Sequence, residues 1–395
     1  MGNEKIKWSV FLMDVFLCSL GAYGGPEAHY GVFTERMILK KNYITEEELG
    51  EYIALTTMLP GPSSTQTIIS IGYKVGGPVL ALLTMLVWAL PVVVIMTVLS
   101  FLYQFLVEHQ ISTDVLKYIG PMAVGFIFVA SFKIGKKVVK GSLNIVLFLI
   151  ALVVTYFYRS FWVFPALLIG GGLITALISK EENKWQHVKI KPNYAYLLVF
   201  AILAIGAFVL TQVWHNQLLW LFERFFRYGY LIIGGGQVVV PYMYSDLVEV
   251  HHFMTSQEFL TGFGLVQGLP GPMFSFSAYA GGMAARGGTI IFQVAGAILS
   301  ALGIFLPGVL LIFFVFPIWQ RLKTIKAIQI ALKGILAVAA GLILSAGLIL
   351  MRDSGFRIDN IAVTLVTILL LFSKKVPSPI LVVLVLLLGY LVTFL

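Results

Sequence analysis

The chain has 395 residues, of which 59% are hydrophobic and 11% are charged, and its mean hydropathy is +0.94. An ordinary soluble domain has about 25% charged and about 45–50% apolar residues, and a soluble fold of this size cannot bury so much apolar surface. The composition therefore excludes a soluble protein and predicts an all-α polytopic membrane protein, with the lipid bilayer as its first partner.

The formal charge of +9 does not indicate nucleic-acid binding, because most basic residues stand in short segments between apolar runs. The lone cysteine, Cys18, excludes an internal disulfide and is expected to be a buried packing residue. The six histidines lack metal-ligand spacing, so neither a metal nor another cofactor is predicted. The apolar stretch after Lys7 resembles a signal peptide, but Asp14 interrupts it, and we expect a retained membrane segment.

The first 76 residues contain apolar segments that are interrupted in the middle. Residues 8–23 end at Gly24–Pro26, and the helix that begins at the capping box of Thr45 and Glu48 is halted at Pro60–Pro62. Glycine allows left-handed turns, and proline suits the first turn of a new helix. We therefore predict two hairpins of half-helices in this region rather than full crossings.

Longer apolar runs follow, and each suits a bilayer crossing of about 20 residues. They span 77–106, 115–135, 142–158 and 162–179 in the first half, and 289–318, 328–350, 358–373 and 377–395 in the second. One unpaired apolar run, 194–214, lies between the two sets.

The second half of the chain repeats the first. Leu59–Pro62 recurs as Leu269–Pro272, an offset of 270 − 60 = 210 residues. The same offset relates Gly24 and Gly25 to Gly234 and Gly235, and the first capping box to Thr255 and Glu258. We therefore predict a duplication, with repeats at 1–191 and 217–395 joined by a linker transmembrane helix at 192–216.

Four crossings followed by one extra crossing would turn the second half upside down relative to the first. Lysine and arginine collect in cytoplasmic loops. With the N-terminus inside, most basic loop residues fall on the cytoplasmic side, including Lys133 and Lys137, and few, such as Arg286 and Arg352, fall outside. This distribution predicts an inverted-topology repeat, with re-entrant half-helices that meet near the midplane, where such transporters bind substrate.

The residues at the four hairpin tips are candidates for binding an anion. A helix N-terminus follows each tip, and its free N–H groups and dipole favour negative charge. The side chains beyond the tips are small and hydroxylated, so they can bind a tetrahedral oxyanion without a fixed lysine or arginine. The candidate residues are Gly24, Gly25, Pro26, Glu27, His29, Pro60, Gly61, Pro62, Ser63, Ser64, Thr65, Gln66, Gly234, Gly235, Gly236, Gln237, Pro270, Gly271, Pro272, Ser275 and Ser277.

Each of these assignments has an alternative. The Gly-Pro breaks could only kink helices for packing, with serines filling the gaps. Glu27 is a candidate for binding a coupling proton, because a carboxyl group at membrane depth is usually functional, but it could equally only satisfy helix amides. Asp14 and Arg224 occupy equivalent positions, and they could line opposite vestibules.

Several longer motifs carry a family resemblance. In the first half they are GGPEAHYGVFTER at 24–36, YITEEEL at 43–49 and LPGPSSTQ at 59–66. In the second half they are GGGQVVVPYM at 234–243, FMTSQEFLTGFGLVQGLPGPMFSFSAYAGG at 253–282 and GIFLPG at 303–308. The chain thus resembles the chromate ion transporter family in its two-repeat form. The resemblance implies efflux of chromate across the cytoplasmic membrane, with sulfate as a related anion, and adds Phe274 to the functional positions. His29 and Met273–Ser277 depart from the family pattern and leave the anion open.

The leading hypothesis is a secondary carrier that exports chromate or a related oxyanion. The alternative is proton- or cation-coupled uptake of sulfate or another small anion, and an anion channel is a different class that saturable kinetics would distinguish. An enzyme is not predicted, since no Ser/His/Asp set, acid/base pair or metal motif is present. No G-x-x-x-x-G-K-[ST] loop is present to use ATP. The sequence leaves a homodimer open.

Overall fold

A computed structural model describes residues 6–158, 162–181, 192–233 and 236–393. Within these ranges every regular element is helical. The predicted all-α fold is confirmed. The helices are α1 Trp8–Gly21, α2 Pro26–Phe33, α3 Glu46–Met58, α4 Ser63–Glu108, α5 Ile119–Val138, α6 Ser142–Phe157, α7 Val163–Ile178, α8 Tyr194–Val213, α9 Gln217–Leu231, α10 Val240–Tyr244, α11 Ser256–Val266, α12 Phe276–Ala284, α13 Ile290–Val315, α14 Trp319–Leu322, α15 Lys326–Ser354, α16 Ile358–Ser373 and α17 Ser378–Val392.

The apolar runs differ in the length of helix that they form. Five helical segments among the described residues are long and apolar enough to cross a bilayer, and they contain α4, α5, α8, α13 and α15. Four helices, α6, α7, α16 and α17, have only 15 or 16 residues. At 1.5 Å per residue they reach about 24 Å, less than the roughly 30 Å hydrocarbon core. The sequence predicted a bilayer crossing for each of these four runs.

Three of the four predicted helix breaks lie in the described residues, and glycines with positive φ make the turn at each. Gly24 and Gly25 (φ 85° and 92°) separate α1 from α2, Gly61 (φ 129°) separates α3 from α4, and Gly271 (φ 104°) separates α11 from α12. Side chains rarely adopt this backbone region, so glycine suits these tips. Gly77 (φ 75°) adds a further break within α4, where the first long apolar run begins.

The helices on either side of these three breaks run back along one another as hairpins, and the segments that flank the fourth predicted break do the same. In the first, Arg36 Nη2 lies 2.8 Å from Asp14 Oδ1, and in the second, Thr56 Oγ1 lies 3.0 Å from Thr67 Oγ1. The second half has the equivalent hairpins: Arg224 Nη1 lies 3.7 Å from Asp246 Oδ2. Both predicted capping boxes are confirmed, at Thr45 with Glu48 and at Thr255 with Glu258. We call the glycine turn of each hairpin its tip and the opposite end its base.

The bases of the two sets of hairpins lie at opposite ends of the long helices. Helix α13 begins just after Arg286, which is ion-paired with Glu258 at a second-half base. About 39 Å further along, Lys323 Nζ lies 2.6 Å from Glu51 Oε1 at a first-half base. Helix α4 connects the same two ends in the opposite direction, since it begins in a first-half hairpin. Near its end, the ring of Tyr103 lies 6.5 Å from that of Tyr279, close to the second-half base.

Each half also contributes a long helix that packs among the helices of the other half. Helix α5 of the first half packs against α16 and α11 of the second, and α15 of the second half packs against α6 and α7 of the first. Small residues allow the close approach. A Cβ added at Gly341 would lie 2.3 Å from the Phe148 carbonyl oxygen. The Ser131 hydroxyl, on α5, donates to the Ala340 carbonyl oxygen at 3.0 Å and ties α5 to α15.

Candidate functional site

The hairpin tips of the two halves meet through a reciprocal pair of backbone hydrogen bonds. The Gly61 N–H donates to the Ile232 carbonyl oxygen, and the Gly271 N–H donates to the Ala22 carbonyl oxygen, both at 2.7 Å. The offset of 210 residues relates 61 to 271 and 22 to 232, so the two bonds are one contact made twice. Residues from all four tips are therefore gathered in one place.

A cavity of about 370 Å³ lies where the tips meet. This volume is within the range of small-molecule sites. Thirteen of the predicted residues line it: Gly24, Gly25, Pro26, Glu27, His29, Gly61, Pro62, Ser63, Ser64, Thr65, Gln237, Pro272 and Phe274. Of these, Phe274 was predicted from the family resemblance.

The first-half wall of the cavity is polar. His29 Nδ1 lies 2.9 Å from Ser64 Oγ, and His29 is only 2% exposed. Its Nε2 atom is buried and has no hydrogen-bond partner among the described residues. Helix α4 starts here after Pro62, and no side chain caps its N-terminus. The first-turn residues Ser63, Ser64 and Thr65 line the cavity, and the free N–H groups of a helix N-terminus favour an anion.

The second-half wall is apolar at the equivalent positions. Met273 and Phe274 stand where the first half has Ser63 and Ser64, and both line the cavity. Gln237 is a polar side chain of this wall, and its Nε2 atom lies 3.7 Å from the Met273 sulfur. The cavity thus joins a hydroxyl-rich face from one half to a thioether and an aromatic ring from the other.

Two lysines that were not among the candidate residues also stand at the cavity. Lys133 and Lys137 line it from the last turns of α5, whereas the sequence placed both in a cytoplasmic loop. Lys137 Nζ lies 3.0 Å from Glu27 Oε1. The Glu27 side chain is 66% exposed, so its surroundings are those of an accessible ion pair rather than of a buried carboxyl group.

Other predicted residues support the tips without lining the cavity. Gln66 is fully buried, and its amide nitrogen donates to the Pro60 carbonyl oxygen at 2.7 Å. Ser275 and Ser277 are also fully buried beside the cavity-lining Phe274. Pro60, Pro270 and Gly271 do not line the cavity either, whereas Gly234 and Gly235, and the surroundings of Gly236, lie outside what the structure describes.

Asp14 and Arg224 do not line this cavity; each is paired inside its own hairpin, Asp14 with Arg36 and Arg224 with Asp246. The hypothesis that they line opposite vestibules gains no support from these contacts. The predicted burial of Cys18 is confirmed.

Sequence reasoning missed several cavity residues. They are Tyr30, Thr56, Thr57, Lys133, Lys137, Gln267 and Ser378. A signal for the two lysines was present, because residues four apart share one helix face and α5 continues through both. The threonines of α3 carried no comparable signal.

Comparison with known proteins identifies the family. The model of the chromate transporter family matches residues 8–177 and 219–391, once in each half. The chain belongs to the chromate transporter family. The two matches also support the repeat. This is a family of membrane transporters, so the chain is a multi-pass membrane transporter rather than an enzyme, and the assignment supports a role in chromate transport.

Three relatives are similar along most of their length. The probable chromate transport protein of Synechococcus elongatus is 24% identical over 382 residues, which cover 95% of this chain and 94% of the relative. The chromate transport protein of Cupriavidus metallidurans is 26% identical over 365 residues, covering 91% and 87%. That of Pseudomonas aeruginosa is 25% identical over 353 residues, covering 87% and 80%. No solved structure matches the chain.

Proposed function

We propose that the protein is a secondary transporter that exports chromate from the cytoplasm, with sulfate as a related anion. The observation that carries the proposal is the cavity at the meeting point of the tips, which combines the open N-terminus of α4, the hydroxyl of Ser64 and the ammonium group of Lys137. These groups donate hydrogen bonds or carry positive charge, as a tetrahedral oxyanion requires.

The two halves have opposite orientations in the membrane. The position of the hairpin bases at opposite ends of α13 supports this inversion. The short helices α6 and α7 do not change the orientation of the second half. Whether both helices cross the membrane or neither does, the chain is on the same side after α7 as before α6. Helix α8, with 20 residues, then supplies the single crossing between the halves.

The cavity opens toward the cytoplasm, and the N-terminus lies on that side of the cytoplasmic membrane. The exposed Lys137 and Glu27 mark the open end. Lys137 lies at the end of α5, which begins beside Leu260 of a second-half hairpin and runs away from it, toward the end of the molecule that carries Lys74 and Lys323. Basic residues concentrate on the cytoplasmic side of membrane proteins. The opposite end has fewer of them, among which are Arg286 and Arg357.

The membrane potential favours export. Moving one charge through 100 mV changes the free energy by about 2.3 kcal/mol, so outward movement of a dianion from a negative cytoplasm is favourable by about 4.6 kcal/mol. Uptake would instead require a coupling ion. Glu27 is the candidate for carrying a coupling proton in that second function, because its carboxylate lines the cavity.

Chromate accumulation in cells tests the direction of transport. Cells that lack their own chromate exporters and express this protein should accumulate less chromate and tolerate more of it. Ser64→Ala should weaken this protection severalfold, because it removes a cavity hydroxyl. The matched control is Ser70→Ala, since Ser70 is a buried serine of the same helix whose hydroxyl donates to the Gln66 carbonyl oxygen. Increased chromate accumulation would contradict export and favour uptake.

A further inference from the structure

One end of the cavity carries three charged side chains, Lys133, Lys137 and Glu27, and the two lysines come from α5 rather than from a hairpin tip. Both lysines line the cavity and lie one helical turn apart on α5. Residues at this spacing have Cβ atoms about 5–6 Å apart. Two long side chains that start this close together can bring their ammonium groups to different oxygens of one tetrahedral anion, and together they match the charge of a dianion.

Only one of these two ammonium groups has a carboxylate partner in the part of the chain that the structure describes. Lys137 is paired with Glu27 at 3.0 Å, and no ion pair involves Lys133 there. Both members of the pair are well exposed, 71% for Lys137 and 66% for Glu27. Exposed pairs contribute little to stability, since water screens the attraction and the long side chains lose freedom. The pair can therefore open at small cost.

We propose that Lys133 and Lys137 form the entry site for the transported dianion, and that Glu27 is a built-in competitor that occupies Lys137 while the site is empty. This inference rests on the proposed function. The anion binds only when the Glu27 carboxylate leaves Lys137, and Glu27 returns when the anion moves on. Lys133 and Lys374 act electrostatically on Glu27 as well, and Lys374 provides a cation for the displaced carboxylate outside the two-lysine site.

A structural role of Lys137 at the end of a helix is the competing explanation. Lys136 and Lys137 both lie in the last turn of α5, where positive charge complements the helix dipole. Lys136, however, lines a separate apolar groove, with Phe128 and Phe148, rather than the cavity. Lys136→Gln is therefore a matched control, because it removes the same charge from the same turn without touching the proposed site.

Calorimetric titration of the purified full-length protein with sodium chromate and with sodium sulfate tests the inference. Lys137→Gln should weaken binding about tenfold, since it removes a charge-assisted contact, and Lys137→Arg should restore most of it. Lys136→Gln should bind like the wild type. Glu27→Gln should bind about threefold more tightly, because the competing carboxylate is gone, and this gain should disappear when Lys137→Gln is also present.

The outcomes separate this inference from the proposed function. Unchanged or weaker binding by Glu27→Gln, or equal losses in Lys136→Gln and Lys137→Gln, would overturn the inference while wild-type binding upheld an oxyanion substrate. Failure of the wild type to bind either anion would overturn both.

Discussion

Asp14 and Arg36 form an ion pair, with 2.8 Å between Asp14 Oδ1 and Arg36 Nη2, and the charges are exchanged in the second half, where Arg224 and Asp246 hold the equivalent positions. A tyrosine hydroxyl donates to the carboxylate in both halves, from Tyr43 to Asp14 and from Tyr228 to Asp246. The attraction is the same whichever side of the hairpin carries the negative charge. Both copies of the hairpin therefore have an opposite-charge pair near the base, with the positions of the positive and negative residues interchanged.

Exchange of the two first-half charges should therefore be tolerated. Asp14→Arg or Arg36→Asp alone leaves like charges together at a site where Asp14 is 2% exposed, and each should destabilise the fold by about 3 kcal/mol. The double variant restores an opposite-charge pair in the orientation of the second half and should recover part of this loss, but not all of it, because Lys41, which lies 3.5 Å from Asp14, would then face a cation. Thermal unfolding of the purified variants measures the effect. A double variant that is less stable than either single variant would contradict the account.

The tip glycine of the second hairpin should be intolerant of a side chain. A Cβ at Gly61 would lie 2.6 Å from Gln66 Nε2 and 3.2 Å from Gly308 Cα, and φ is already 129°. Gly61→Ala should therefore cost more than the roughly 1–2 kcal/mol of an unfavourable backbone alone and should reduce transport strongly. Gly31→Ala is the control, because Gly31 lies within α2 with no atom within 4 Å of the added Cβ. Equal effects in transport and unfolding assays would show that Gly61 is not special.

Labelling from the two sides of the membrane tests the inversion. Glu47 and Gln257 are equivalent positions at the two hairpin bases, and both are exposed. In a Cys18→Ala background, Glu47→Cys should react with an impermeant thiol reagent only from the cytoplasmic side. Gln257→Cys should react only from outside. Reaction of both from the same side would exclude an inverted repeat.

The role of Glu27 as a coupling site has a signature in the pH dependence of transport. If Glu27 carries the coupling proton, Glu27→Gln should abolish the effect of pH on chromate transport, because the amide cannot bind or release a proton in this range. A competitor role changes the substrate concentration at half-maximal rate instead. Transport that keeps its full pH dependence in Glu27→Gln would rule out proton coupling at this residue. Flux measured between pH 6 and pH 8 distinguishes the two.

The fold and the tips were predictable because their signals are local. Apolar runs, capping boxes at Thr45 and Thr255, and glycines with prolines at the breaks follow from backbone chemistry within a few residues. The duplication made each signal appear twice.

The contents of the cavity were less predictable because they depend on packing between halves. The spacing of Lys133 and Lys137 indicates a shared helix face, but that this face lines the cavity depends on the packing of α5 against helices of the second half, which no local pattern shows. Ser275 and Ser277 resemble the first-half serines in sequence, yet neither lines the cavity. The sequence could not distinguish a hydroxyl that lines the cavity from one buried beside it.

Chromate flux into membrane vesicles of both orientations tests the central claim most directly. The account predicts saturable uptake into inside-out vesicles, faster when the vesicle interior is made positive, and reduced by Ser64→Ala and by Lys137→Gln but not by Ser70→Ala. Vesicles without the protein provide the background. Chromate flux that does not saturate, that ignores the imposed potential, or that is unchanged in the cavity variants would contradict potential-driven export through this site.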